Sequence, residues 1–273
     1  MADMSSPDRD AAPPSSAPDV LICSGLDPSG GAGFLADVRV VSSLGGRPVG
    51  AVTALTVQNT LGMRSCHEVD ADVFGAQLNA LLTDVEVKAI KVGILGSGAV
   101  LRELDEQFAL TQAPVVWDPV VAPTQGDGVF TGSPREMLAE ALQRLARHLT
   151  LITPNAEELG LLIGTEVMNL AEAAAAATRF SEMAKVAVLV KGGHFGTDQS
   201  VDVLCHAGGV EYLAGPRIAT ADVHGTGCAL SSAIATHLAL GLPLVDACRL
   251  AKQFVADRIA NPVRPGRGAP AIV

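Results

Sequence analysis

The sequence predicts an α/β fold in which helices cover both faces of one doubly wound sheet. From Val20 onward, short apolar runs alternate with stretches whose apolar residues recur at helical spacing. No solenoid repeat or linker interrupts this alternation before residue 260. With 48% of its 273 residues hydrophobic, the chain can build one large core. We therefore expect one domain over residues 20–262, a disordered tail at 1–19 and a C-terminal tail at 263–273.

The first half of the chain begins with a predicted buried strand over Val20–Ser24, followed by a glycine-rich turn and a helix. A second strand is expected over Val49–Leu55. The next helix follows Asp70 and Asp72, either of which could cap its N-terminus. The pattern then predicts strands, separated by helical segments, at Ala89–Ile94, Val115–Trp117 and Thr150–Ile152.

The second half of the chain predicts more helices, one strand and a hairpin. The hairpin is expected because two short apolar runs flank Ala207-Gly208-Gly209, which can form a tight turn. In order, the predicted elements are helices from about residues 156 and 170, a strand over Val186–Val190, hairpin strands over Val201–Leu204 and Val210–Leu213, and helices over Thr226–Leu240 and Val245–Ala260.

Composition narrows the possible partners and the compartment. The formal charge of −10 argues against nucleic acid, whose phosphates need a basic face. The five cysteines form no Cys-x-x-Cys pair, which favours reduced thiols over a disulfide framework or a zinc site. No long uninterrupted apolar stretch predicts a membrane span. We therefore expect a cytoplasmic protein that binds neither nucleic acid nor membrane.

A glycine-rich segment near the C-terminus, His224-Gly-Thr-Gly-Cys228, precedes an alanine-rich helix. Gly225 and Gly227 allow a tight turn whose amides, with the helix dipole, could hold an anion. Cys228 lies in the first helical turn, where we expect its pKa to be lowered, so it could accept a proton from an alcohol that attacks ATP. Two alternatives remain: an ordinary turn with a small buried cysteine, and a hydrolase pair of His224 and Cys228 that lacks a recognisable orienting acid.

A second glycine-rich segment, Gly25–Asp37, joins the first strand to the first helix. Its glycines let a ligand approach the backbone, and Asp27 could hydrogen-bond an alcohol or an amine. The segment has neither the Gly-Lys-Ser/Thr of a phosphate-binding loop nor the Gly-x-Gly-x-x-Gly of a dinucleotide fold, and Gly93–Gly98 also misses that spacing. A dehydrogenase is therefore disfavoured, whereas a purely structural loop remains an alternative.

Seven segments of the chain, taken together and in order, resemble the successive motifs of hydroxymethylpyrimidine and phosphomethylpyrimidine kinases of thiamine biosynthesis. The resemblance extends from about Val20 to Ala260. The segments are Gly25–Asp37, Thr53–Thr60, Lys91–Leu95, Trp117–Val120, Ile152–Glu158, Val190–His194 and His224–Cys228.

This resemblance implies a ribokinase-like fold, with a central, mostly parallel β-sheet flanked by α-helices. It implies transfer of the γ-phosphoryl group of ATP to the hydroxymethyl group of the pyrimidine, to its monophosphate, or to both. Cys228 matches the catalytic base, and the run Gly225, Thr226 and Gly227 matches the anion hole.

The resemblance also assigns the substrate pocket. Gln58 matches the residue that hydrogen-bonds the aminopyrimidine, because an amide can both donate and accept. Gly25, Asp27 and Ala32 match the substrate loop, and Ile94 matches an apolar wall. Without the resemblance, Gln58 would be expected in a solvated loop after a strand.

The ATP and metal site is implied at two other strand ends. By resemblance Asn155, Glu158 and Lys191 bind ATP, and Asp118 and Glu158 hold Mg²⁺, which prefers oxygen ligands. Read alone, Asn155 would be a helix cap, Glu158 a surface charge and Lys191 an exposed side chain at a strand end. The segment 122–128 lacks the basic or serine residue usual in the family, which puts lid closure over ATP in doubt.

Two other functions compete with this one. Some relatives with the same Gly-Thr-Gly-Cys motif phosphorylate pyridoxal, so a pyridoxal kinase is the first alternative. The second is a non-catalytic pyrimidine-binding protein that has lost phosphoryl transfer. Either way, the resemblance favours a homodimer.

Overall fold

The computed structural model of the chain describes residues 17–121, 133–193, 195, 199–218 and 222–273. Most of the predicted N-terminal tail and the whole segment 122–128 lie outside the described residues.

Within the described residues, nine strands form one sheet in the order β3-β2-β1-β4-β5-β6-β7-β8-β9. Neighbouring strands are parallel from β2 to β7 in this order, and the pairs β2–β3, β7–β8 and β8–β9 are antiparallel. The strands are β1 (Asp19–Leu26), β2 (Arg47–Asn59), β3 (Gly62–Glu68), β4 (Val87–Val92), β5 (Val115–Trp117), β6 (Leu149–Ile152), β7 (Ala187–Val190), β8 (Gln199–His206) and β9 (Gly209–Pro216).

Helices connect the parallel strands and cover the sheet. They are α1 (Gly33–Ser43), α2 (Ala71–Leu82), α3 (Gly98–Phe108), α4 (Pro134–Leu145), α5 (Ala156–Ile163), α6 (Leu170–Ala184), α7 (Thr226–Ala239) and α8 (Leu244–Ala260). In the part of the chain that the structure describes, none of them is both long and apolar enough to cross a bilayer.

Two hydrophobic clusters lie on opposite faces of the sheet. Alternate residues of β1 separate into them: Leu21 and Cys23 join the cluster packed by α2 to α6, whereas Val20 and Ile22 join the cluster packed by α1, α7 and α8. A strand that is buried on both faces is typical of a parallel sheet between two helical layers. The doubly wound α/β fold predicted from the sequence is therefore confirmed.

The element boundaries agree with the sequence in most places and differ at one edge of the sheet. Asp70 caps α2, because its side chain accepts a hydrogen bond from the Val73 amide at 2.9 Å. The hairpin β8–β9 also forms as expected. Strand β2 extends to Asn59 and pairs with β3, a strand that the sequence did not predict because its residues are mostly polar. Gln58 therefore lies in a strand, and the expectation of a loop was wrong.

The C-terminal strap, residues 263–273, packs back onto the domain. Val263 and Ala271 pair through both of their backbone groups, and Ala271 and Ile272 are each 1% exposed. The Ala269 amide donates to the Thr60 carbonyl at 2.9 Å, in the turn between β2 and β3. The predicted C-terminal tail thus contacts the hairpin that carries Gln58.

Candidate functional site

A cavity of about 460 Å³ opens among the ends of β1, β2, β4, β5, β6 and β7 and the start of α7. In an open α/β sheet, ligands bind outside the carboxyl ends of the parallel strands. The cavity gathers all the residues that the sequence assigned to a site: Gly25, Asp27, Ala32, Gln58, Ile94, Asp118, Asn155, Glu158, Lys191, Gly225, Thr226, Gly227 and Cys228.

Residues Gly225 to Cys228 line one wall of the cavity at the start of α7. Gly225 precedes the helix with φ of 86°, a backbone conformation that side chains disfavour. A Cβ at this position would also overlap the carbonyl oxygen of Gly31, so the turn requires glycine on two counts. The first amides of a helix have no acceptor within the helix, which makes this wall suitable for an anion.

The thiol of Cys228 does not have the lowered pKa that its place in the first helical turn predicted. Its pKa is raised to about 11, mainly by burial and also by the carboxylates of Asp37 and Asp118, while Lys91 and a hydrogen bond from the Gly33 backbone act in the opposite direction. That expectation was wrong because burial depends on the folded chain, and its effect on this pKa exceeds the lowering by Lys91 and the Gly33 backbone. At neutral pH the resting side chain is a thiol.

Lys191 contacts two carboxylates next to the start of α7, since a Cβ on Gly227 would lie 3.3 Å from its Nζ. Its Nζ lies 2.8 Å from Asp118 Oδ1 and 3.4 Å from Glu158 Oε2. Burial alone would lower the pKa of Lys191, but the two carboxylates outweigh burial and raise it, so the ammonium form is held. Lys191 is therefore a half-buried, paired cation and not the exposed strand-end lysine that was its alternative.

Asn155 and Glu158 form a capping box at the start of α5. Asn155 Oδ1 accepts from the Glu158 amide at 2.8 Å, and Glu158 Oε2 accepts from the Asn155 amide at 2.7 Å. Burial, together with the charge of Asp118, raises the pKa of Glu158, although Lys191 opposes this shift. The cap that was expected for Asn155 thus coexists with its position on the cavity wall.

The oxygen ligands at this wall fit a Mg²⁺ ion. Asp118 Oδ2 is buried and lacks a hydrogen-bond partner among the described residues. A Cβ on Gly227 would lie 3.3 Å from this oxygen, so the oxygen faces the start of α7. The described part of the chain contains no cluster of three or more His, Cys, Asp or Glu residues that could hold a metal. Two carboxylates suit Mg²⁺, which usually keeps several waters and binds substrate phosphates.

Asp27 organises the glycine-rich loop between β1 and α1 from within. Its Oδ1 accepts from the amide and the hydroxyl of Ser29, at 2.8 and 2.7 Å, and its Oδ2 accepts from the Ala32 amide at 3.0 Å. Burial would raise the pKa of Asp27, but hydrogen bonds from His224 and Ser29 together lower it. The loop is therefore built around an ionised carboxylate.

Three of the cavity residues that were not assigned to a site from the sequence bear on its chemistry. His224 lies with its Nε2 atom 3.0 Å from Gln58 Nε2 and 3.4 Å from Asp27 Oδ2. Its place beside Gly225 is the available signal, from which the sequence suggested only a hydrolase pair with Cys228. Met63 lines the cavity from β3, so it could not be found without that strand.

Lys91 is the third of these residues, and it is completely buried at the floor of the cavity. Its Nζ lies 2.6 Å from Asp37 Oδ2. The hydroxyl of Ser24 donates to the same oxygen at 2.6 Å, and that of Ser232 donates to Asp37 Oδ1 at 2.7 Å. The ion pair ties β4 to α1, and the Ser232 hydrogen bond adds α7, at the floor of the cavity.

Solved structures of pyridoxal and pyrimidine kinases are similar to this fold. The pyridoxal kinase of Bacillus subtilis, in an ADP complex, is 27% identical with a TM-score of 0.84 and covers 94% of this chain and 97% of its own. The phosphomethylpyrimidine kinase of Clostridium difficile is 27% identical with a TM-score of 0.76, covering 89% and 99%. The ribokinase-like architecture expected from the motifs is confirmed.

Sequence comparison gives the family. The hydroxymethylpyrimidine/phosphomethylpyrimidine kinase of Mycobacterium leprae is 36% identical over 266 residues, and that of Mycobacterium tuberculosis is 38% identical over 263 residues. Each alignment covers 94% of both proteins. The profile of the family described as phosphomethylpyrimidine kinase matches residues 27–272. The chain therefore belongs to the phosphomethylpyrimidine kinase family.

Proposed function

We propose that this chain transfers the γ-phosphoryl group of ATP to hydroxymethylpyrimidine, to its monophosphate, or to both, in thiamine biosynthesis. The observation that carries the proposal is the arrangement of one cavity. A carboxylate–lysine cluster lies on one wall, an amide and a carboxylate lie on another, and the start of α7 with Cys228 lines the same space. Phosphoryl transfer depends mainly on positioning and charge stabilisation, which such an arrangement supplies.

Asn155, Glu158 and Lys191 would bind ATP, and Asp118 and Glu158 would hold Mg²⁺. The pyridoxal kinase of Staphylococcus aureus, 27% identical to this chain, has been solved with ADP and with AMP-PCP. When bound, Mg²⁺ would neutralise charge on the phosphates. Lys191 would then move its contacts from the carboxylates toward phosphate oxygens, since its raised pKa keeps it cationic.

At the reacting end, the amides of Gly225, Thr226 and Gly227 would hold the transferred phosphoryl oxygens. Cys228 would accept the proton of the attacking hydroxymethyl group. Because its pKa is about 11 in the free protein, only the small thiolate fraction could do so at neutral pH. Lys91 is the buried cation that favours this thiolate.

The pyrimidine would bind in the pocket formed by Gln58, Asp27 and Ile94. Gln58 can pair with the amino group and ring nitrogen of an aminopyrimidine, because its amide has both a donor and an acceptor. Gly25 and Ala32 would let the ring approach the backbone of the substrate loop. The side chain of Ile94 would form the apolar wall.

A pyridoxal kinase is the second candidate, and a specific observation favours it. The pyridoxal kinases of B. subtilis and S. aureus are more similar to this fold, with TM-scores of 0.84, than the pyrimidine kinase of C. difficile at 0.76. Against it, full-length sequence relatives at 36% and 38% identity are pyrimidine kinases. We therefore keep the pyrimidine as the preferred substrate.

The test is ADP release from Mg²⁺-ATP with hydroxymethylpyrimidine, its monophosphate or pyridoxal, by the wild type and by Cys228→Ala. We expect turnover with at least one pyrimidine, reduced by about 10²- to 10⁴-fold in the variant. Turnover with pyridoxal alone would replace the pyrimidine by the second candidate. No turnover with any of the three, despite binding, would favour a protein that binds pyrimidines without catalysis.

The homodimer and the cytoplasmic location expected from the sequence belong to the same proposal. Light scattering coupled to size-exclusion chromatography would check the first, and localisation of a fluorescent fusion would check the second.

A further inference from the structure

The imidazole of His224 is shared between two polar partners in the substrate pocket. Its Nε2 atom lies 3.0 Å from Gln58 Nε2 and 3.4 Å from Asp27 Oδ2. A ring nitrogen carries either a proton or a lone pair. It can therefore donate to the Asp27 carboxylate or accept from the Gln58 amide, but it cannot do both at once.

The other side of the Gln58 amide is weakly held. Its Oε1 atom lies 3.4 Å from the hydroxyl of Thr56. That hydroxyl lies closer to the Leu26 carbonyl, at 2.7 Å, and it has a single proton to donate. The orientation of the Gln58 amide is thus decided mainly by what His224 offers it.

The ring of His224 is fixed by its surroundings. The His224 amide donates to the Pro270 carbonyl at 2.8 Å, and the Ile272 amide donates to the His224 carbonyl at 3.1 Å, so the C-terminal strap holds the backbone on both sides. A Cβ on Gly31 would lie only 2.8 Å from the ring carbon Cδ2. The side chain is 14% exposed. Two features can therefore change: which ring nitrogen of His224 carries the proton, and which way the Gln58 amide is turned.

We infer that His224 is a positioning residue that sets substrate preference through Gln58. With a lone pair on Nε2, His224 engages the Gln58 amino group, and Oε1 is left to accept a hydrogen bond from an exocyclic amine. With a proton on Nε2, the amide turns and presents its amino group, which suits an acceptor such as the phenolic oxygen of pyridoxal. This inference rests on the proposed function, since it takes Gln58 as the residue that recognises the ring.

Binding of two ligands to three variants tests the inference. Hydroxymethylpyrimidine and pyridoxal would be titrated by calorimetry into the wild type, His224→Leu and His224→Gln, without ATP. Leucine removes both hydrogen-bonding functions, whereas glutamine offers a carbonyl to Gln58 and an amino group to Asp27. His67→Leu, at an exposed position of β3, is the matched control.

We expect His224→Leu to weaken pyrimidine binding about tenfold more than pyridoxal binding, while His224→Gln restores most of the wild-type ratio. An unchanged ratio, or an equal loss for both ligands in His224→Leu, would overturn the inference, because a purely structural role weakens both alike. Binding is measured without ATP. An inactive wild type would therefore refute the proposed function, while the ratio of pyrimidine to pyridoxal affinity could still be compared between the variants. A wild type that binds neither ligand would overturn both.

Discussion

At the residue scale, position in the fold changes the chemistry of side chains that the sequence identified. The sequence places Cys228 at a helix start, and from that position alone a lowered pKa follows. The fold half-buries Cys228 close to the carboxylates of Asp37 and Asp118, and the pKa of its thiol is raised to about 11 instead. Membership of a site could be predicted from motifs, whereas the protonation state depends on neighbours that only the folded chain brings together.

The raised pKa of Cys228 predicts the pH dependence of catalysis. If the thiolate is the base, its fraction grows about tenfold for each pH unit below the pKa of about 11, so kcat/KM should rise with that slope from about pH 7 to about pH 10. Steady-state kinetics with the pyrimidine across this range would check it. Cys66→Ala, outside the cavity, should keep the slope. A wild-type kcat/KM that does not change with pH would show that Cys228 is not the base.

The ion pair of Lys91 and Asp37 predicts a large loss of stability on substitution. Both side chains are completely buried, so Lys91→Met leaves an uncompensated carboxylate and should lower the free energy of unfolding by about 3–5 kcal/mol. Urea unfolding would measure it. Lys88→Met, on the same strand but 46% exposed, should change this free energy by less than about 1 kcal/mol. Equal effects of the two substitutions would contradict the prediction.

At the element scale, hydrophobic periodicity predicted the strands and helices that are buried and missed the polar strand at the sheet edge. β4 was predicted from its short run of apolar residues, which is typical of a buried strand. α7 was predicted from the glycine-rich segment that precedes its apolar residues. β3 was missed because Gly62–Glu68 has little apolar character and forms only by pairing with β2 at the sheet edge. That omission hid Met63 and placed Gln58 in a loop, so the pocket's outer wall could not be predicted.

The cap of α2 predicts unequal losses of stability for substitution of two acidic neighbours. Asp70 accepts the Val73 amide, whereas Asp72 lies within the first helical turn and only complements the helix dipole. Asp70→Ala should therefore lower the free energy of unfolding by about 1 kcal/mol, and Asp72→Ala by about 0.3 kcal/mol. Thermal and urea unfolding of the two variants would check this. A larger loss of unfolding free energy for Asp72→Ala than for Asp70→Ala would contradict the assignment of Asp70 as the cap.

At the scale of the whole molecule, the sheet brings distant segments to one cavity. Because parallel strands present their carboxyl ends at one edge, residues from Gly25 to Cys228 meet there, and their convergence followed from a βαβ pattern. The contacts of the C-terminal strap with residues at the site could not be predicted from the sequence. Its prolines and glycines carry no periodic signal, and its contacts with Thr60 and His224 depend on the complete fold.

The strap predicts a selective effect of truncation. Removing residues 263–273 takes away buried Ala271 and Ile272 and the backbone partners of His224, which should lower the free energy of unfolding by about 2–4 kcal/mol. Pyrimidine binding should weaken more than ADP binding, because the strap bonds to Thr60 and to His224, which contacts Gln58. Asp118 and Lys191, which would hold the nucleotide, have no such bond to the strap among the described residues. Calorimetry with each ligand would check this, with Arg267→Ala as the exposed control. Equal losses for both ligands would contradict it.

The direct packing of Gly225 against the Gly31 carbonyl has a consequence for how this family can diversify. The turn that would hold the transferred phosphoryl group touches the loop between β1 and α1, which would hold the substrate, backbone to backbone, with no side chain between them to absorb a change. A descendant that acquires a new substrate would have little freedom to reshape either loop. Its mutations should accumulate on the β2–β3 hairpin, around Gln58 and Met63, while the phosphate end stays the same across enzymes of different specificity.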